Sequence, residues 1–166
     1  MIAINLIKNF CYSLENQLTF ITKDLEEKDY SFKPDDKTPA IGWVLGHVLI
    51  SHDFIVNYSI LGNKPLLTKE LLTNYGTGSS GEIKGEESPV NFVDLFRKVN
   101  KTVVETLLTK EDSWLEEFPV KTKNWPDNWL NKNNTKAFVL YFNHSLNHTG
   151  QMMELKRKIG KKVWGI

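Results

Sequence analysis

Four long segments of the chain repeat apolar residues at helical spacing, and this periodicity constrains the fold more than any other feature. The first segment steps by four and three residues, which places one apolar stripe on a helix. Its members are Ile7, Cys11, Leu14, Leu18, Ile21 and Leu25. Pro34 and the polar run "KPDDK" are predicted to end this helix.

The second and third segments begin with matching signals. Thr38 before Pro39 and Ser88 before Pro89 each combine a capping side chain with a proline suited to the first helical turn. A helix is predicted over residues 39–61, with Gly62 as its stop and Gly42 and Gly46 in its interior. Interior glycines cost about 1 kcal/mol each relative to Ala. Close approach of another helix is one reason to keep them.

The third helix continues into the stretch "TKEDSWLEEF", where a further turn or two is predicted. The fourth runs from about Asn134 to Ile159, with cations in its last turn and Gly160 as its stop. Residues 62–88 are predicted to be a flexible connection with a short helix at "LTKELL", and residues 119–133 an irregular one. We therefore predict an all-α single domain over residues 1–166, a four-helix bundle with a long connection between helices two and three.

Composition narrows the function classes. Lys and Arg total 21 and Asp and Glu total 20, so the charge pattern of a nucleic-acid-binding protein is missing. No apolar run approaches the roughly 20 residues of a membrane span. The first residues lack the basic start and the unbroken apolar run that a signal peptide is expected to have, and the one cysteine, Cys11, is expected to be a core residue. A cytoplasmic protein with no nucleic-acid or membrane partner is predicted.

All four histidines lie in two short stretches, "HVLISH" and "NHSLNH". On a helix His144 and His148 lie about 40° apart, one turn above the other, on a mainly apolar stripe that includes Tyr141 and Gln151. His47 lies on the apolar stripe of the second helix together with Trp43. His52 lies about 140° from His47 and is expected to be a surface or interface residue.

Three inward imidazoles favour a shared metal ion, because an unpaired buried imidazole is costly. The alternative is that these histidines are ordinary core or surface residues. Gln151 either orients an imidazole or makes a structural hydrogen bond. Trp43 is either a core residue or, with Tyr141, part of the surroundings of the site. Ser145 follows His144, so the glutamate of the HExxH metalloprotease motif is missing.

The segments "GWVLGHVLISH" and "NHSLNHTGQMMELKRKIG" together resemble the DinB-like (DinB/YfiT) superfamily of metal-dependent enzymes. The resemblance involves Trp43 and His47 in the first segment and His144, His148 and Gln151 in the second, with Gly150 between them. It implies a four-helix bundle, often a homodimer, that binds one divalent metal, nickel, zinc or iron, through His47, His144 and His148. It also implies thiol-dependent S-transfer with a low-molecular-weight thiol and a small-molecule substrate.

Three functions stay open from the sequence. The first is a metal-dependent thiol S-transferase, the second a metal-dependent hydrolase, and the third a non-catalytic metal-binding or regulatory bundle. Hydrolysis needs a positioned base, and no Asp or Glu shares a stripe with the histidines. A structural zinc site usually has four protein ligands, whereas three histidines leave an open position. A fourth protein ligand would favour the non-catalytic function.

Overall fold

The computed structural model describes residues 2–121 and 133–163, and within them the chain is helical without strands. The all-α prediction is confirmed for these residues. The α-helices are α1 (Ile2–Thr22), α2 (Glu27–Tyr30), α3 (Ile41–Ser51), α4 (Lys69–Tyr75), α5 (Phe92–Leu107) and α6 (Asn134–Lys158). A π-helical segment, His52–Ile60, continues α3 directly, and short 3-10 turns cover Pro89–Asn91 and Asp112–Glu116.

The long helices enclose one apolar core. Helix α1 packs against α5 and α6, and α3 packs against the same two helices. The apolar stripe predicted for the first helix is buried from Ile7 to Ile21 and faces this core. The contact of α3 with α6 brings together the helices that carry His47, His144 and His148. None of the helices in the described part of the chain is long and apolar enough to cross a membrane.

The first helix ends earlier than its sequence pattern predicts. Helix α1 stops at Thr22, well before Pro34, and the separate short helix α2 begins at Glu27. The buried ammonium of Lys156, from the last turn of α6, donates to the Ile21 carbonyl and to Asp24. The Asp29 carboxylate accepts from the backbone N–H of Glu26 at 2.7 Å and so caps α2. These contacts satisfy backbone groups that would otherwise continue the helix.

The predicted start of the second helix was also wrong. Helix α3 begins at Ile41, and Thr38 is not its cap. The Thr38 hydroxyl donates instead to Asp35, which also accepts the backbone N–H groups of Lys37 and Thr38 in a turn. The backbone N–H of Ala40 donates to the Gly81 carbonyl at 2.9 Å, so the chain stays extended up to Ala40. Gly62, with a φ of 79°, ends the helical run as predicted.

The π-helical segment was not predicted, since residues 39–61 read as one regular helix. It carries three buried polar side chains, His52, Asp53 and Asn57. The Asp53 carboxylate accepts from the backbone N–H groups of Leu66 and Leu67, at 2.9 Å and 2.8 Å. The segment therefore holds the start of the connection to α4 through partly buried hydrogen bonds.

Other helices come close to Gly46, as predicted, whereas the nearest neighbour of Gly42 is Ile83 from the connection after α4. A Cβ on Gly46 would collide with the ring of Tyr75 from α4 and would lie 2.9 Å from Phe92 of α5. A Cβ on Gly42 would lie 2.8 Å from the end of the Ile83 side chain. Glycine at position 46 thus lets Tyr75 sit against α3.

Several smaller predictions are confirmed. Ser88 caps the turn that begins at Pro89, the "LTKELL" stretch contributes to α4, and the "TKEDSWLEEF" stretch contains the turn Asp112–Glu116. Helix α6 ends at Lys158, one residue before the predicted boundary. The predicted irregular connection over residues 119–133 lies mostly outside the described residues.

Candidate metal centre

Three histidines from two helices converge at one point. His47 comes from α3, and His144 and His148 come from consecutive turns of α6. Each offers a ring nitrogen, and these atoms all lie within 4.8 Å of one another. The Nε2 atoms of His47 and His144 are 3.2 Å apart. Such a cluster has the donor atoms and the spacing to hold a metal ion.

The helices explain why these side chains meet. The spacing of four residues stacks His144 and His148 on one face of α6, and that face packs against α3. His47 is 4% exposed at this contact, whereas the other two histidines are half-buried. The cluster therefore lies at the edge of the core, with its α6 side reaching toward solvent.

The tautomer of His47 follows from its hydrogen bond to α4. Its Nδ1 lies 2.7 Å from the carbonyl oxygen of Tyr75. A carbonyl only accepts, so Nδ1 carries the proton and Nε2 presents its lone pair to the cluster. The indole of Trp43 stacks on the imidazole at 4.9 Å between ring centroids and 9° between planes. Trp43 is itself held by the Ser79 hydroxyl, which accepts from its Nε1 at 2.9 Å.

Gln151 sets the orientation of His148. The Gln151 Oε1 lies 3.1 Å from His148 Nδ1. Because an amide oxygen accepts, Nδ1 donates and Nε2 is left unprotonated. Two of the three imidazoles thus hold their protons on the nitrogen directed away from the cluster, which is the arrangement that metal-ligating histidines usually show.

The surroundings keep the imidazoles neutral. Burial lowers the pKa of His144 to about 4, and repulsion from His148 and His47 acts in the same direction. Burial also lowers the pKa values of His47 and His148. Neutral imidazole is the form that binds a metal, so the three residues are ready to ligate at neutral pH.

The chemistry of the donors limits the choice of ion. The cluster contains three nitrogens, and within residues 2–121 and 133–163 no carboxylate or cysteine joins it. Imidazole ligands suit zinc, nickel, iron and copper, whereas magnesium and calcium prefer oxygen. The residues present therefore fit a transition metal with at least one position open.

His52 is not the surface or interface residue that the sequence analysis expected. Its side chain is 0% exposed and lies apart from the three-histidine cluster. Its Nδ1 lies 2.7 Å from the Tyr141 hydroxyl and its Nε2 lies 3.2 Å from Asn100 Oδ1. His52 directly follows α3, which is buried on almost every side, so the face about 140° from His47 also lies in the core, against Phe96 of α5 and Tyr141 of α6.

The direction of this buried hydrogen-bond chain is fixed by Asn100. Its amide nitrogen donates to Glu15 Oε2 at 2.7 Å, so its oxygen is the atom that faces His52. His52 Nε2 therefore donates, and Nδ1 accepts from Tyr141. Tyr141, which the sequence analysis assigned to the surroundings of the metal site, uses its hydroxyl on His52 and is fully buried.

Sequence reasoning missed two contacts that hold the site. The Tyr75 carbonyl is a backbone group, and no side-chain motif marks it. The Ser79 hydroxyl lies in a stretch that reads only as a flexible connection. Gly46 is the one sequence signal, because it makes room for the Tyr75 ring beside His47.

Comparison with known proteins assigns neither a family nor a function to the chain. The chain matches no protein-family model, and a search of curated proteins finds no match. The resemblance to the DinB-like superfamily therefore depends on the sequence itself, on its two histidine motifs and on the order and lengths of its predicted helices.

Proposed function

We propose that this chain is a DinB-like metal-dependent enzyme that binds one divalent ion through His47, His144 and His148. The observation that carries the proposal is the convergence of three ring nitrogens within 4.8 Å. The acceptors at His47 Nδ1 and His148 Nδ1 support it, since they leave both Nε2 atoms unprotonated. The two histidine motifs of the sequence support the same assignment.

The architecture that goes with this proposal is a four-helix bundle. Its members are α1, α3 with the π-helical segment, α5 and α6, which pack on one core. The long connection between the second and third members contains α4, whose last residue, Tyr75, holds His47. The family resemblance adds a homodimer to the proposal, and the single cysteine and the absence of a long apolar run in the sequence support a cytoplasmic location.

We propose nickel, zinc or iron as the ion, because three imidazoles suit these metals. A low-molecular-weight thiol and a small electrophilic molecule are the proposed reactants: the thiol releases its proton to solvent, its sulfur forms a bond to the electrophilic carbon, and the leaving group departs with the electron pair of the bond that breaks. A divalent ion in this site would lower the pKa of a coordinated thiol. The thiol has to come from outside the chain, since Cys11 is buried and burial raises its pKa to about 12.

Neighbouring groups of the protein orient the histidines that would bind the ion. The hydrogen bond to Tyr75 and the stacking contact with Trp43 orient the His47 ring. Gln151 fixes His148 in the same way on the opposite helix. The half-buried His144 and His148 mark the side from which a small molecule can reach the site.

Hydrolysis and a non-catalytic role rank lower for specific reasons. No carboxylate of the described residues lies in the cluster to act as base for a hydrolase. No fourth His, Cys, Asp or Glu of these residues completes a closed structural site. Both observations favour a site that accepts an exogenous ligand.

The test is elemental analysis of tag-free protein beside a His148→Ala variant, with Asn147→Ala as matched control. Asn147 is exposed on the same turn of α6 and is outside the cluster. We expect about one metal equivalent in the native chain and in Asn147→Ala, and a loss in His148→Ala. No metal in the native chain after incubation with nickel, zinc and iron(II) would refute the proposal.

A further inference from the structure

A separate cavity of about 500 Å³ opens between the end of α3, the π-helical segment and α4. Its lining is mostly apolar and includes Ile50, Phe54, Tyr58, Leu67 and Leu72. Cavities of about 300–1,000 Å³ with such linings commonly bind small molecules. The histidine motifs do not involve these residues, so the cavity has no role in the metal site as described so far.

The cavity begins one helical turn from the histidine cluster. Ile50 follows His47 by three residues on α3, which is a rise of about 4.5 Å. Leu72 precedes Tyr75 by three residues on α4, and the Tyr75 carbonyl accepts from His47. Two walls of the cavity are thus the direct continuations of the two elements that hold His47.

The charges of the lining favour a neutral or anionic ligand over a cation. Asp53 is the one carboxylate of the lining, and its oxygens already accept from the backbone N–H groups of Leu66 and Leu67 and from the Asn57 amide. Lys69, also in the lining, is exposed and makes no ion pair with any other described residue. The cavity therefore combines an apolar interior with one available positive charge.

We infer that this cavity binds the substrate of the histidine site, a small molecule with an aromatic or branched apolar body and one anionic group. The apolar body contacts Ile50, Phe54 and Leu72, and the anionic group pairs with Lys69. This inference rests on the proposed function for the part played by the metal, but binding in the cavity is measurable without any metal.

The first experiment is a fluorescence titration with anilinonaphthalene sulfonate, an aromatic monoanion, on folded metal-free protein. We expect saturable binding at one site. Leu72→Trp fills the cavity from a side chain that is 36% exposed, and we expect it to weaken binding about tenfold or more. Lys69→Glu replaces the one cation of the cavity lining by an anion, and we expect it to weaken binding about fivefold or more.

The matched control is Leu66→Trp. Leu66 is 52% exposed and belongs to the same connection, but its side chain does not line the cavity. We expect this variant to bind as the native chain does. Thermal unfolding followed by circular dichroism establishes that each variant is folded. If Leu72→Trp fails to fold, Lys69→Glu alone tests whether the probe binds in the cavity. Lys69 is exposed, so its replacement does not disturb the core.

Equal affinity in the native chain and both cavity variants, or a weakening in Leu66→Trp as large as theirs, would overturn the inference. The link to the metal site is tested with cobalt(II) and zinc(II). We expect the relaxation of the probe protons by bound cobalt, relative to zinc, to give an ion-to-probe distance within about two helical turns, ~11 Å. A larger distance in protein with one equivalent of cobalt would overturn that link.

Failure of the proposed function gives a different result. If elemental analysis finds no metal in the native chain, the metal site is refuted. The fluorescence titration would still decide whether the cavity binds an apolar anion. If the native chain holds one equivalent of metal but does not bind the probe, the inference about the cavity is refuted and the metal site is not.

Discussion

The Nδ1 of His47 lies 2.7 Å from the carbonyl oxygen of Tyr75, the last residue of α4. This contact joins the central histidine of the site to a seven-residue helix in the middle of the long connection. It fixes the proton of His47 on Nδ1 and points Nε2 at His144. The position of α4 on α3 therefore controls the geometry of the candidate metal centre.

Gly46→Ala should loosen this arrangement. The added methyl group collides with the Tyr75 ring and crowds Phe92, and overpacking of this kind costs about 1–3 kcal/mol. This loss exceeds the gain of up to about 1 kcal/mol in helix propensity. We expect a lower free energy of unfolding in urea and a weaker affinity for metal.

Gly150→Ala is the control for that substitution. Gly150 lies inside α6 next to Gln151, and a Cβ there meets no atom within 4 Å. We expect this variant to gain up to about 1 kcal/mol in stability, because only helix propensity changes. Equal destabilisation by both substitutions would contradict the role of Gly46.

Gln151→Leu should weaken metal binding without removing a ligand. The variant loses the acceptor at His148 Nδ1, and loss of such a partner typically lowers metal affinity about 10–100-fold. Competition with a chromophoric chelator measures the affinity. We expect Gln151→Glu to restore it, since a carboxylate also accepts from Nδ1. Unchanged affinity in Gln151→Leu would show that Gln151 is a bystander.

Acid should destabilise the folded chain through His52. Complete burial lowers the pKa of His52 to about 3, even though the hydrogen bond to Asn100 acts in the opposite direction. Between its ordinary pKa of about 6.5 and about 3 the unfolded chain binds a proton that the folded chain does not. Stability contributed by neutral His52 is therefore present above about pH 6.5 and lost as the pH falls, by up to about 1.4 kcal/mol per pH unit.

Urea unfolding of metal-free protein at pH 7, 6, 5 and 4 tests this slope. We expect a folded His52→Gln variant to lose less stability over the same pH range, because glutamine does not titrate. The imidazole resonances of His52 should show the neutral tautomer protonated on Nε2 down to about pH 4. An identical slope in the variant would refute the assignment of acid sensitivity to His52.

Cys11 should be unreactive in the folded chain. The side chain is 0% exposed, and burial raises its pKa to about 12, so thiolate is scarce at neutral pH. We expect no labelling by a disulfide reagent over an hour at pH 8 and one equivalent in guanidinium. Rapid labelling of the native protein would contradict this burial and reopen Cys11 as a source of thiol.

Local sequence signals predicted those parts of the fold that local interactions decide. The periodic stripes of α1, α5 and α6, the Ser88 cap and the stop at Gly62 depend on residues within a few positions of each other. The pairing of His144 with His148 follows from helical spacing alone. The motifs also singled out His47, since its apolar stripe directs it toward the interior.

Tertiary contacts decided the rest, since they join residues far apart in the chain. Lys156 ends α1 through the Ile21 carbonyl, and Gly81 holds the extended chain before α3. Packing of α5 and α6 around the end of α3 buried His52, where Asn100 and Tyr141 satisfy both of its nitrogens. The sequence by itself determined which side chains can ligate an ion. Only the packing of α4 and α6 on α3 decided that three ring nitrogens meet. That packing depends on the Tyr75 carbonyl and on the space left by Gly46, and neither produces a periodic pattern in the sequence.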